Sequence, residues 1–200
     1  MSDNLENAEL SNYEKMIRGM WYDASEGDPE LTAKRLNAKD LCLEYNTRIK
    51  FTDPEKQQEL LKRLLGSFGK NLCIMAPLMV DYGYNIHIGD DVFFNHNTYL
   101  MDTAPITIGD RVFVGPNTGF YCATHPLDAV ERAKGLERAL PITIGSDVWI
   151  GGNAVFMPGV SVGSNVVVGA GAVVTHDIPD NCVAVGNPCR ILKELPPIKR

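Results

Sequence analysis

A six-residue period running from Ile86 to Pro188 constrains this chain more than any other feature. The units Ile108-Gly-Asp-Arg-Val-Phe, Val114-Gly-Pro-Asn-Thr-Gly, Ile144-Gly-Ser-Asp-Val-Trp, Ile150-Gly-Gly-Asn-Ala-Val, Val162-Gly-Ser-Asn-Val-Val and Val168-Gly-Ala-Gly-Ala-Val share one template. No such unit buries its apolar side alone, so short strands must stack, coil upon coil. The aliphatic positions are expected to point inward, with Gly and Asn making the tight corners. Ile144 to Val162 spans 18 residues, three sixes and therefore one triangular coil. Ile88 to Ile108 spans 20, which predicts a two-residue bulge near Thr103–Pro105. Between Ile108 and Ile144 lie 36 residues, and the surplus falls at 126–140, a polar stretch without the hexapeptide signal. A loop of that length inside a compact array is usually functional.

Ahead of the repeats, residues 1–70 read as a helical unit. Met16, Ile17, Met20 and Trp21 fall on one face of a helix over 13–22. Asp28-Pro29 and Asp53-Pro54 each read as an N-cap with Pro at the first helical position. Leu31, Leu36, Leu41 and Leu43 would pack from the second helix. Leu60, Leu61, Leu64 and Leu65 would pack from the third, which Gly66 and Gly69 end. Residues 71–190 then form the repeat domain with its loop at 126–140, and 191–200 a short strand or turn with a tail.

The bulk numbers exclude several classes. A formal net charge of −6 argues against a nucleic-acid-binding surface. The apolar runs are too short to span a membrane, and the polar start, Met1 to Glu9, lacks a signal-peptide pattern. The five cysteines are odd in number and contain no CxxC pair, as expected of free thiols in the cytoplasm rather than a metal cluster.

Several motifs together are specific: Asn85-Ile-His-Ile-Gly, Asn95-His-Asn, Thr124-His-Pro-Leu, Pro141-Ile-Thr-Ile-Gly-Ser-Asp-Val-Trp-Ile-Gly, Gly169-Ala-Gly-Ala-Val-Val-Thr and Gly186-Asn-Pro-Cys-Arg. With the helical segments Met20-Trp-Tyr-Asp-Ala and Leu31 to Asn46, they make nearly the whole chain resemble the maltose and galactoside O-acetyltransferases, members of the hexapeptide-repeat acyltransferases. The resemblance implies a mainly β protein, a left-handed parallel β-helix with an N-terminal α-helical domain and one extruded loop. It also implies a homotrimer with acetyl-CoA as co-substrate, bound between neighbouring prisms. An acetyl group would pass to a hydroxyl of a sugar or related small molecule.

Such transfer needs a base, because a protonated alcohol is a poor nucleophile, and donors for the oxyanion. His125, where the repeat breaks and the loop begins, matches the family's catalytic histidine. Asn95 matches the residue credited with polar contact at the reacting centre; a ladder role at a coil corner is its alternative. Asp23, Asp81 and Asp102 match or neighbour acceptor-binding positions, and Glu137 would orient the His125 ring or touch the acceptor. Thr103 stands where some galactoside enzymes carry a second acidic residue, which weakens a galactoside preference. On the cofactor side the resemblance implies the backbone N–H near Gly152 for the thioester oxygen and Trp149 as a wall. It places Ala170, Thr175, His176, Arg190 and Lys193 along the CoA track. Related sequences often carry Lys where this chain has His176, and a solvated turn is the alternative there. Arg190 suits phosphate because a guanidinium grips it bidentately. His87 should face outward, and His96 lies at a corner. Cys122 reads as a small core residue rather than an acyl carrier. No metal is called for.

Two rivals use the same scaffold. A γ-class carbonic anhydrase needs further histidines, and positions 120 and 130 are Phe and Val. A non-catalytic β-helix scaffold would have no use for His125 and Asn95.

Overall fold

The computed structural model describes residues 10–24 and 28–199; the polar start of the chain and Arg200 lie outside them. From Ser67 to Val185 the chain winds through about six turns of short parallel strands on three faces. The first face stacks Ser67–Phe68, Ile86–Ile88, Ile106–Ile108, Ile142–Ile144 and Ser161–Val162. The second stacks Cys73–Ile74, Phe93–Phe94, Phe113–Val114, Trp149–Ile150, Val166–Val168 and Cys182–Val185. Arg190–Glu194 is added antiparallel to its last strand. The third stacks Leu78–Val80, Thr98–Met101, Gly119–Tyr121, Val155–Phe156 and Val173–Val174. This is the parallel β-helix that the six-residue period predicts, with the left-handed winding that the resemblance implies.

Burial follows the strand alternation. Ile86 and Ile88 are buried while His87 between them is exposed, and Ile106-Thr-Ile and Ile142-Thr-Ile repeat the pattern. Phe120 and Phe156 stack inside the prism with ring centroids 4.7 Å apart. Asn71, Asn97, Asn117, Asn153, Asn165 and Asn181 turn the corners with φ from 56° to 63°, a region asparagine tolerates better than most residues. Their side chains link coil to coil, as from Asn97 Nδ2 to Asn117 Oδ1 at 2.8 Å.

The irregularities share one edge, between the third and first faces. Val80 to Ile88 and Leu100 to Ile108 each take eight residues and Phe120 to Ile144 takes 24, whereas Ile144, Ile150, Phe156 and Val162 follow at sixes. The predicted bulge at 103–105 is therefore present, and the long insertion leaves from the same edge three coils into the stack.

Helices close the open end of the prism. α1 (Asn12–Ile17) is shorter than the predicted helix over 13–22. It stops short of Gly19, whose φ of +65° turns the backbone out of the helix, and the chain continues as the strand Tyr22–Asp23. Met16 is buried, but Ile17 and Trp21 are exposed, so the expected four-residue stripe does not form. α2 (Pro29–Thr47) and α3 (Pro54–Leu64) start as read, with Asp28 and Asp53 accepting backbone N–H groups of their first turns. In α2 the buried face is Leu31, Ala38, Leu41, Cys42 and Tyr45; Leu36 and Leu43 point to solvent, contrary to expectation. Leu60, Leu61, Leu64 and Leu65 are buried in one continuous core with the first coil's Leu72, Ile74 and Leu78.

The unpaired strand edge of that coil is covered by helix side chains. Asn46 donates to the Leu78 carbonyl and accepts from its N–H, both at 2.8 Å, as a neighbouring strand would. Tyr45 donates to the Ile74 carbonyl at 2.6 Å, Gln58 to that of Leu72 at 2.9 Å and Lys39 to that of Val80 at 2.7 Å. No helix among the described residues is long and apolar enough to cross a membrane.

Candidate active site

The insertion is not the featureless loop its polarity predicts. Asp128 caps α4 (Ala129–Ala133) by accepting from the N–H groups of Val130 and Glu131, and Gly135, at φ +78°, turns the chain into the strand Leu136–Ala139. That strand pairs antiparallel with Ala123–Thr124 on one side and with Tyr22–Asp23 on the other. A small three-stranded sheet thus joins the repeat edge, the insertion and the N-terminal segment. In it Tyr22 lies opposite Glu137, and His125 follows the paired Thr124 directly.

The imidazole of His125 is half exposed. Its Nδ1 lies 2.9 Å from the Leu136 carbonyl oxygen. A carbonyl only accepts, so Nδ1 carries the hydrogen and Nε2 keeps a free lone pair. Glu137 Oε2 stands 3.8 Å from that Nε2, with the Glu137 side chain only 14% exposed. The other oxygen, Oε1, accepts the phenolic hydrogen of Tyr22, a residue buried against Met16, Leu31 and Tyr82. Burial, reinforced by the Glu137 charge, pushes the Tyr22 phenol far up and keeps it a donor.

Beside this row a cavity is lined by Tyr22, Asp23, Arg35, Asp81, Tyr82, Thr103 and Glu137, which brings three of the four expected acceptor-side carboxylates together. Asp81 is held by Lys39 Nζ at 2.8 Å and by the Tyr99 hydroxyl at 2.7 Å. Thr103 is buried, and its hydroxyl has no partner among the described residues. Asp102, the fourth, is fully buried instead. It accepts the N–H groups of Asp81 at 3.0 Å, Tyr82 at 2.8 Å and Asn85 at 3.3 Å. It therefore shapes the bulged corner that presents Asp81 rather than reaching the cavity. Burial outweighs those three donors and pushes its carboxyl up to about 6.

The remaining expected residues divide between two edges and the second face. Thr175 and His176, hydrogen-bonded to each other at 2.9 Å, lie on the His125 edge, two coils along. A separate cavity joins His176 to Cys189 and Arg190. Asn95, Gly152 and Ala170 instead lie between the second and third faces, and Asn95 accepts from the His96 N–H at 2.8 Å. Trp149 projects from the second face, 59% exposed, in one row with Phe113 and Val167, and Lys193 lies opposite Val183. Within one chain the third face separates Asn95 from His125. His87 faces outward and contacts Ser67, and His96 packs edge-on against Phe51.

Cys122 is fully buried, and burial pushes its thiol up to about 12, the opposite of an activated nucleophile. Among the described residues no three His, Cys, Asp or Glu side chains cluster as metal ligands. Tyr22 and Lys39 were missed in the sequence, because their partners Glu137 and Asp81 are 115 and 42 residues away. The one signal was Tyr22's place beside Asp23.

Comparison with known proteins agrees with the fold. Residues 15–69 match the maltose acetyltransferase hexapeptide capping motif, and residues 141–176 the bacterial transferase hexapeptide with six repeats. A protein of Saccharomyces cerevisiae named as an acetyltransferase is 46% identical over 91% of this chain and 92% of its own length. The crystal structure of a maltose O-acetyltransferase from Clostridium difficile superposes with a TM-score of 0.91 at 42% identity, covering 94% of this chain and 99% of the other. A hexapeptide-repeat acetyltransferase of Vibrio cholerae, complexed with acetyl-CoA, superposes with a TM-score of 0.85 at 39% identity, covering 94% and 100%.

Proposed function

Because the chain belongs to the hexapeptide-repeat acetyltransferases, in the maltose acetyltransferase group, we propose that it transfers acetyl from acetyl-CoA to a hydroxyl of a sugar or related small molecule. The observation that carries this reading is the His125 ring, pinned through Nδ1 to the Leu136 carbonyl with Nε2 free beside Glu137. Nε2 takes the acceptor's hydroxyl proton as the oxygen attacks the thioester carbon. The carbonyl oxygen becomes an oxyanion, for which the backbone N–H near Gly152 is the donor. As the carbon–sulfur bond breaks, the imidazolium returns its proton to the departing CoA thiolate. Glu137, at 3.8 Å, stabilises the transient imidazolium. No acyl-enzyme is needed, and the buried Cys122 offers no route to one.

Asp23 and Asp81 line the cavity beside Glu137, where carboxylates accept hydrogen bonds from acceptor hydroxyls. His176, Arg190 and Lys193, with Thr175 and Ala170, form the CoA track. The placement of His125 and Asn95 on opposite edges of the third face supports an active site shared between copies. One chain supplies the base and its neighbour supplies Asn95, Gly152 and Trp149, in a homotrimer.

The test is turnover of His125→Ala, read as free thiol released from acetyl-CoA against a panel of maltose, glucose and galactosides. Turnover is expected to fall by about 10²–10⁴-fold with acetyl-CoA binding retained. Wild-type turnover in that variant overturns the assignment.

A further inference from the structure

Tyr22 comes from the helical segment, 115 residues from Glu137 in sequence, yet it reaches the row that contains the base. We propose that Tyr22 is a positioning residue for the acetyl-transfer step, acting through Glu137 on His125; this rests on His125 being the general base. A free carboxylate rotates about its terminal bond and distributes its charge over many orientations. Here the phenol holds Oε1, and that fixes Oε2 on the side of Nε2. The Tyr22 ring is locked in turn by Met16, Leu31 and Tyr82, and its strand by the pairing of Tyr22 with Glu137 and Asp23 with Leu136. Leu136 is also the residue whose carbonyl sets the His125 tautomer. The hydrogen bond on Nδ1 and the carboxylate that faces Nε2 therefore come from adjacent residues of one strand. The N-terminal segment pairs with that strand from the far side. The helical cap thus helps organise the chemistry in addition to closing the prism.

Buried packing alone explains the Tyr22 ring but not its hydroxyl. An apolar residue would fill that cluster without placing a phenol against a carboxylate that already faces a histidine.

The test separates hydroxyl from ring. Tyr22→Phe keeps the packing and is expected to lower kcat about tenfold, the loss for one charge-assisted hydrogen bond, with the KM for acetyl-CoA unchanged. In a Glu137→Gln background the same substitution should cost no further activity, because its route to His125 is already cut. Glu137→Asp, too short to meet both partners, should show a loss like that of Tyr22→Phe with Tyr22 intact. Unchanged kcat in Tyr22→Phe or in Glu137→Asp overturns the proposal. So does an equal loss in both backgrounds, the mark of a structural role. If His125→Ala keeps its turnover, the base assignment falls instead, and the two failures are distinguishable.

Discussion

Asp102 shows how a single residue matches a functional position yet works at one remove. Its motif neighbours led to an acceptor-contact reading, whereas its oxygens are spent on the N–H groups of residues 81, 82 and 85. Removing it leaves three buried donors unpaired. Asp102→Ala is expected to destabilise the fold by about 3 kcal/mol or more, measured by denaturant unfolding. The carboxyl titrates higher folded, at about 6, than at its ordinary value of 3.8. Between those values the folded state binds the extra proton, so this group's contribution to stability rises as pH falls from 7 toward 4. The melting temperature of wild type relative to Asp102→Asn should therefore rise as the buffer is taken from pH 7 to pH 4.5. A difference that stays flat or falls would contradict burial as the dominant influence on this group. Nothing in the local sequence reveals the burial, because it depends on the coil below, whose corner supplies the donors.

At the scale of elements, legibility follows locality. The coils were readable because each six-residue unit repeats the burial pattern of the next, and the N-caps Asp28 and Asp53 because a cap and its helix are adjacent. Residues 19–23 and 136–139 were not readable. Their strands pair with each other across more than 110 residues, the second also with Ala123–Thr124, and no period marks them. Exposure of Leu36 and Leu43 was missed because α2 meets the prism along a line set by Tyr45 and Asn46, which bond to backbone groups of the first coil. Those bonds carry a prediction of their own. Asn46→Ala leaves both polar groups of Leu78 without a partner and should cost about 2–4 kcal/mol, seen as a lower unfolding midpoint with the active-site sheet unaffected.

The whole molecule makes its own demand, because one chain keeps His125 and Asn95 on separate edges. If copies share the site, two defective variants repair one another. His125→Ala and Asn95→Ala chains, each of low activity alone, should regain activity when co-assembled in equal amounts. About a quarter of the sites then receive an intact histidine from one chain and an intact asparagine from its neighbour. Mixed assemblies, verified by native mass spectrometry, that regain nothing would show that each chain carries a complete site. The six-residue period made the scaffold legible, and the His-Pro motif marked the histidine proposed as the base. The separation of His125 from Asn95 is legible only once the coil assigns each residue to an edge.

The side chains laid along the first coil have a meaning beyond stability. A β-helix has no intrinsic length: each coil is a template for another, and an uncovered end resembles the growing tip of a fibre. Asn46, Tyr45, Gln58 and Lys39 occupy the hydrogen-bonding positions that an incoming strand would take. At the other end of the second face, Arg190–Glu194 runs antiparallel, against the direction of winding. The helical segment and the final strand therefore act as chain terminators, and they keep a potentially endless architecture a discrete molecule.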